Sequence, residues 1–150
     1  MKQRYWNDVS VGEEIEAVEF PLTVYRLVMA AGANRDFNAI HHNAEVARAS
    51  GAPDIYANTL LLQGMWERAV RQFIGLAGVI VRQSGFQMRI FNCPGDTVTV
   101  RGRVQKAWRE SPTDVIGFIE IEVWSENAKG ISVGPGRVRV TLPLRPPLTE

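Results

Sequence analysis

Asn58-Thr59-Leu60-Leu61-Leu62-Gln63-Gly64-Met65-Trp66-Glu67-Arg68-Ala69-Val70-Arg71-Gln72-Phe73-Ile74-Gly75 is the stretch on which the fold turns. Leu62, Met65, Trp66, Ala69, Val70 and Phe73 recur at helical spacing, while Gln63, Glu67, Arg68 and Arg71 fill the opposite side. Asn58 is a strong N-cap, and Gly75 and Gly78 supply the stop. This is the longest helix the chain can form, and a stripe so rich in aromatic and Met side chains is core that needs a second layer against it.

The sequence beyond it supplies that layer, because the apolar period falls from 3.6 to 2. Phe86, Met88 and Ile90 alternate with Gln87 and Arg89, and Val98, Val100 and Val104 alternate with Thr97, Thr99, Arg101 and Arg103. Residues 115–126 are apolar on both parities, which predicts a central strand covered on both faces. Residues 131–142 complete four strands, with Gly134-Pro135-Gly136 interrupting the alternation as a bulge or kink. Three short connections, at 92–95, 109–113 and 127–130, suit antiparallel neighbours, since parallel ones need long crossovers. With an early strand near 13–22, the pattern predicts a single α+β domain over 1–150, a curved antiparallel sheet wrapped around one long helix.

Composition narrows the function classes. A hydrophobic content of 45% closes a real core in one domain, and seventeen basic against sixteen acidic side chains leave no global field for nucleic acid or an anionic membrane. The opening Met1-Lys2-Gln3-Arg4-Tyr5-Trp6-Asn7-Asp8 lacks an apolar leader core, and the longest apolar run, 76–81, is too short to span a bilayer, so a soluble cytoplasmic protein is expected. Cys93 is the one cysteine, beside a Pro-Gly turn and far from either histidine in sequence; a buried, inert thiol is expected. Adjacent histidines rarely meet at one centre and no third exists, so no metal is expected.

Chemistry concentrates upstream of the long helix, in Arg35-Asp36-Phe37-Asn38-Ala39-Ile40-His41-His42, which holds both histidines and an aspartate five positions before the first. A solvated Asp and His in a polar loop is the commoner outcome of such spacing. Here the loop is pinned. Thr23 caps a short helix that Gly32 stops, and Asn43 caps a second, 44–50, closed by Gly51. Two side chains held this way can share one water, the minimum equipment for general acid/base chemistry.

Asp36-Phe37-Asn38-Ala39-Ile40-His41 resembles the Asp-x-Asn-Pro-x-His signature of the MaoC-like (R)-specific enoyl-CoA hydratases and dehydratases, which have the hot-dog fold. The likeness runs from Asp8-Val9-Ser10-Val11-Gly12-Glu13 at the front to Pro94-Gly95-Asp96-Thr97-Val98 in mid-sheet. Two departures stand out. Ala39 replaces the motif's proline, and Asn58-Thr59-Leu60 stands where the family commonly has His-Gly-Met. The paired histidines and Asp54-Ile55-Tyr56-Ala57-Asn58 resemble the small MaoC-like subunit of the actinobacterial steroid side-chain hydratase, which works beside a second hot-dog subunit.

The resemblance implies syn addition of water to a trans-2-enoyl-CoA, giving a (3R)-3-hydroxyacyl-CoA, or the reverse dehydration. Asp36 and His41 would be the catalytic pair around one water. The Thr59 backbone N–H would hold the thioester oxyanion, Asn38 would orient the loop, and Asn58 would cap the helix or contact the thioester. Coenzyme A enters as part of the substrate, with no further cofactor. His42 reads as loop surface. Arg89, Arg101 and Arg103 sit on wet strand faces that are usually solvated, and none is assigned to the CoA phosphates. A thioesterase, with a carboxylate activating water against the carbonyl, and a non-catalytic acyl-binding or stabilising subunit are the alternatives. An open sheet edge and the double-sided apolar strand at 115–126 predict assembly with a second hot-dog unit, as a homodimer or a heteromer.

Overall fold

The Asn58 side chain accepts the Leu61 N–H at 2.9 Å and so begins α3, Thr59–Ile74. Its computed structural model describes residues 3–146; Met1 and Lys2, which open the leader reading, lie outside them. Gly75 ends α3 with φ 76°, a left-handed conformation that favours glycine. The buried side of α3 carries Leu62, Met65, Trp66, Ala69, Val70, Phe73 and Ile74, as the stripe predicts.

Five antiparallel strands curl around that side: β1 Val18–Pro21, β2 Val79–Ser84, β3 Thr97–Trp108, β4 Ile116–Asn127 and β5 Gly130–Pro143, in the order β1-β3-β4-β5-β2. The sheet turns Val98, Val100, Val104, Ile119, Ile121, Val123, Val138, Val140 and Leu142 inward, all at most 1% exposed. β4 lies at the centre, as its double-sided pattern predicts. Trp66, fully buried, donates its indole N–H to the Ser125 hydroxyl at 2.8 Å, so the largest core side chain leaves no polar atom unpaired. At the Gly134-Pro135-Gly136 interruption β5 carries one residue more than β4 between the pairs Val123↔Gly136 and Ser125↔Val133, which is the expected bulge. A Cβ on Gly134 would lie 3.0 Å from the Trp66 ring, so the bulge is shaped to the helix.

Four expectations are corrected. The strand after α3 is Val79–Ser84, not 86–90, where Met88 makes only an isolated bridge to Val133. Gly85, at φ 71°, turns the chain out of the ladder before Phe86. The 92–95 connection therefore does not join neighbours: β2 pairs with β5 and β3 pairs with β1, near opposite sides of the sheet. Gly32 does not stop the first helix; α1 runs Val24–Ala33 and Asn34 caps it, since a lone glycine weakens a helix without breaking it. The early strand is shorter than 13–22, with Glu14 only bridging Arg103 before the ladder starts at Val18. α2, Ala44–Ala49, begins at Asn43 and is followed by Gly51 at φ 94°, as read. Among the described residues no helix is long and apolar enough to cross a membrane.

Candidate active site

Thr23 accepts the Arg26 N–H to start α1, and at the far end Arg35 adopts φ 56°, an uncommon conformation for a side chain with a Cβ. That turn, with the Asp36 N–H donating to the Ala31 carbonyl at 2.9 Å, sends the Asp36 carboxylate back toward the start of α3. Asn38 caps the short 3-10 turn Ala39–His41 by accepting the Ile40 N–H at 3.2 Å, and its own N–H faces the Asp36 carboxylate at 3.4 Å. Asn38 thus orients the loop, and it is itself exposed.

His41 is 5% exposed, inside the fold, while His42 is at the surface. The His41 Nε2 lies 3.1 Å from the Asp36 Oδ2, and Nδ1 lies 2.8 Å from the Tyr56 carbonyl. A carbonyl has no proton to give, so Nδ1 carries one and donates it. Nε2 faces the carboxylate within hydrogen-bond reach, so the two groups sit where a proton can pass between them. The Tyr56 ring packs against His41 edge-on at 5.3 Å and against Phe91 at 4.8 Å, fixing the imidazole plane. The sequence reading separates Asp36 and His41 by a water; in the structure they touch directly.

Asn58 is 3% exposed and its side chain is committed on several sides. Its oxygen accepts from Leu61 at 2.9 Å and from the Asn34 amide at 3.3 Å, while its Nδ2 donates to the Asp36 Oδ2 at 3.2 Å. The capping alternative for Asn58 is the one the geometry contains, and the same side chain positions Asp36. Asn34 and the Tyr56 carbonyl are the members of this network that sequence reading does not pick out. Neither stands at a spacing that marks it.

Thr59 is the first residue of α3, with its hydroxyl donating to the Met88 sulfur at 3.7 Å. Among the described residues the Thr59 and Leu60 N–H groups have no acceptor, so the positive end of the helix presents two free donors next to the Asp36–Asn58 contact. A carboxylate, an imidazole in contact with it and two free backbone donors form a set that can move a proton and stabilise an oxyanion. Elsewhere the arginines are locally engaged: Arg89 with the Gly134 carbonyl, Arg101 with Glu126, and Arg103 with Glu14 at 2.6 Å. Burial pushes the Cys93 thiol up, away from the reactive thiolate.

No profile of a known protein family matches the sequence. The beta subunit of 3-oxo-4,17-pregnadiene-20-carboxyl-CoA hydratase from Mycobacterium tuberculosis is 33% identical over 78 residues, 52% of this chain and 60% of that protein. The match thus spans about three fifths of the length of that curated relative. A chain of the ChsH1-ChsH2 complex from Mycobacterium tuberculosis superposes with a TM-score of 0.72 at 26% identity, covering 91% of this chain and 98% of that one. The MaoC-like dehydratase from Rhodospirillum rubrum superposes with a TM-score of 0.80 over 95% of this chain and 99% of that one, a likeness of fold at 17% identity. With a sheet curled around one helix and an Asp-x-Asn-x-x-His segment at that helix's start, the chain has the hot-dog fold and is similar to MaoC-like proteins.

Proposed function

We propose that this chain carries the acid/base machinery of an enoyl-CoA hydratase, adding water syn across a trans-2-enoyl-CoA to give a (3R)-3-hydroxyacyl-CoA, or running the reverse dehydration. The observation that carries the reading is the 3.1 Å contact between His41 Nε2 and Asp36 Oδ2, beside the free N–H groups of α3. Asp36 is one-third exposed and His41 is nearly enclosed, so water reaches the pair from the carboxylate side. The pair takes a proton from water as its oxygen bonds to C3, and delivers a proton to C2 on the same face. One proton is taken and one is given, so the pair ends the step with as many protons as it had at the start. Charge developing on the thioester oxygen is met by the Thr59 N–H, a kind of donor whose loss costs about 3–4 kcal/mol of transition-state stabilisation. Coenzyme A acts here as the carrier of the substrate, and no other cofactor is needed for this step.

By likeness to the mycobacterial subunit, the substrate is a steroid side-chain thioester and the working unit pairs this chain with a second hot-dog subunit. β2 lies at the edge of the sheet with Val79 and Val81 more than half exposed, a strand side suited to a protein neighbour. The test is enoyl-CoA hydration by the purified chain, alone and with a hot-dog partner, followed by chiral analysis of the product. Asp36→Asn and His41→Ala should each lower the rate by about 10²–10⁴-fold with the fold intact by circular dichroism. Near wild-type rates in both variants, or release of free CoA in place of a hydroxyacyl product, would end the reading.

A further inference from the structure

The face of the sheet turned away from α3 carries a polar cluster that the acid/base chemistry does not use. Ile119, Ile121, Val138 and Val140 point into the core, so Glu120, Arg137 and Arg139, which alternate with them, point outward. With Arg82 and Ser84 of β2 they line a polar depression of about 230 Å³. Asp36 and His41 meet at the start of α3, on the inner side, so the sheet itself stands between the depression and the acid/base pair.

Its charges do not balance. Glu120, 7% exposed, is the one carboxylate among the lining residues, against three guanidiniums. Arg139 reaches it at 3.4 Å and Arg137 at 3.7 Å, while Arg82 makes no ion pair among the described residues. The depression therefore holds a surplus of two positive charges in a chain whose net charge is only +1. Lys106, in register with Glu120 on β3, competes for the same carboxylate. The register makes the surplus costly, because Arg82 stands directly opposite Arg139 on the neighbouring strand, where like charges repel. The Arg139 Nε is buried without a hydrogen-bond partner among the described residues, and its guanidinium lies 5.3 Å from the centre of the Trp108 ring. A strand face that needed only solubility would set opposite charges across the ladder at each of these positions.

We propose that the depression is an anion site that takes one phosphate group, free or as a phosphomonoester, between Arg82, Arg137 and Arg139. A surplus of two charges matches what such a group carries near neutral pH. Each guanidinium is a planar fork that can donate two parallel N–H bonds to phosphate oxygens, and the Ser84 hydroxyl adds a further donor. The space is smaller than the usual small-molecule cleft, which suits a single phosphate group better than a whole ligand. A bound anion offsets the repulsion between Arg82 and Arg139, and Glu120 remains beneath it as the counter-charge that holds Arg137 and Arg139 in place. The site does not depend on the hydration reading, because a ligand held here lies across the sheet from Asp36 and is not the reacting thioester.

The test uses the chain in its assembled state. Inorganic phosphate and adenosine 3′,5′-bisphosphate are titrated by calorimetry and by thermal unfolding, with sodium chloride at matched ionic strength as the reference; the first probe reports a free anion and the second a phosphate carried on a nucleotide. Binding of either, with a rise in Tm that chloride does not give, is the expected result. Arg82→Gln and Arg137→Gln replace exposed side chains and leave the core untouched, and each should weaken binding on the order of tenfold or more, the worth of a charge-assisted hydrogen bond. Arg48→Gln, equally exposed on α2, should leave binding unchanged. Glu120→Gln should tighten it, since the competing carboxylate is gone; if that variant does not fold, the two arginine variants decide alone. An equal rise in Tm with chloride overturns the proposal and marks the cluster as an ion network that salt screens. Absence of binding to both probes overturns it as well. So does an affinity that Arg82→Gln and Arg137→Gln both leave unchanged, which would place the anion elsewhere on the chain.

Discussion

Replacing Asn58 separates the two jobs that its side chain performs. Asn58→Ala removes the cap on Leu61, the contact with Asn34 and the donor to the Asp36 carboxylate at 3.2 Å. A lost N-cap costs about 1 kcal/mol. The bond to a charged acceptor is worth ~1.5–3 kcal/mol where water is absent, but Asp36 is 34% exposed and water replaces part of it, leaving roughly 1 kcal/mol. The sum, about 2 kcal/mol, corresponds to a fall in Tm of roughly 4–8 °C for a chain of this size.

Asn58→Ser keeps a capping oxygen and is too short to reach Asp36, so it should recover most of the stability and little of the activity. A carboxylate released from its donor samples other rotamers, and about tenfold in hydration rate corresponds to ~1.4 kcal/mol of lost positioning. Asn58→Asp keeps the cap but sets a second carboxylate where the amide donor was, against Asp36; it should be the least active of the three. Calorimetric Tm values and initial hydration rates measured on all three variants decide the matter. A fully active Asn58→Ser, or an Asn58→Asp indistinguishable from wild type, would show that the amide does not position Asp36.

Two further outcomes are expected. A Cβ on Gly117 would lie 2.3 Å from the Trp6 ring, whose indole N–H donates to the Phe118 carbonyl, so Gly117→Ala should dislodge the N-terminal segment and lower Tm by roughly 5 °C, the scale of moderate overpacking; an unchanged Tm and unchanged Trp fluorescence would show that this segment does not need the glycine. The Arg145 guanidinium, 2.7 Å from both Asp8 oxygens, holds that carboxyl below its usual 3.8, so its contribution is present above pH 3.8 and is lost as pH falls through the lower folded value. Arg145→Gln should therefore lower Tm near neutrality and flatten its dependence below pH 3.8; an identical acid profile in the variant would contradict the pairing.

Much of this architecture was legible because it rests on short-range rules. The caps at Thr23, Asn43 and Asn58 follow from side-chain oxygens within three residues of the N–H they satisfy, and the α3 stripe follows from the helix period. The central place of β4 followed from its two apolar parities. The pairing of Asp36 with His41 was legible in the sequence, but the bonding around it was not. The Asn34–Asn58–Asp36 chain joins residues 22 and 24 positions apart, and the left-handed turn at Arg35 that makes it possible has no signature in an arginine. The Tyr56 carbonyl is backbone, to which sequence gives no mark.

The missed strand has a different cause, and it bears on assembly. Period-2 reading assumes one wet face, and the alternating 86–90 segment satisfied the pattern while Gly85 kept it out of the ladder. β2 failed the same test because Val79 and Val81 accompany Ile80, so its apolar residues occupy both parities. Within this chain Ile80 packs toward the core while Val79 and Val81 are 55% and 52% exposed, at an edge with no strand on its second side among the described residues. The pattern that hides β2 from a single-chain reading is what an edge strand acquires when its outer side is covered by another subunit. This gives the two-subunit proposal a physical motive independent of the mycobacterial likeness, since the apolar cost of the exposed valines falls on any form of the protein that stays alone.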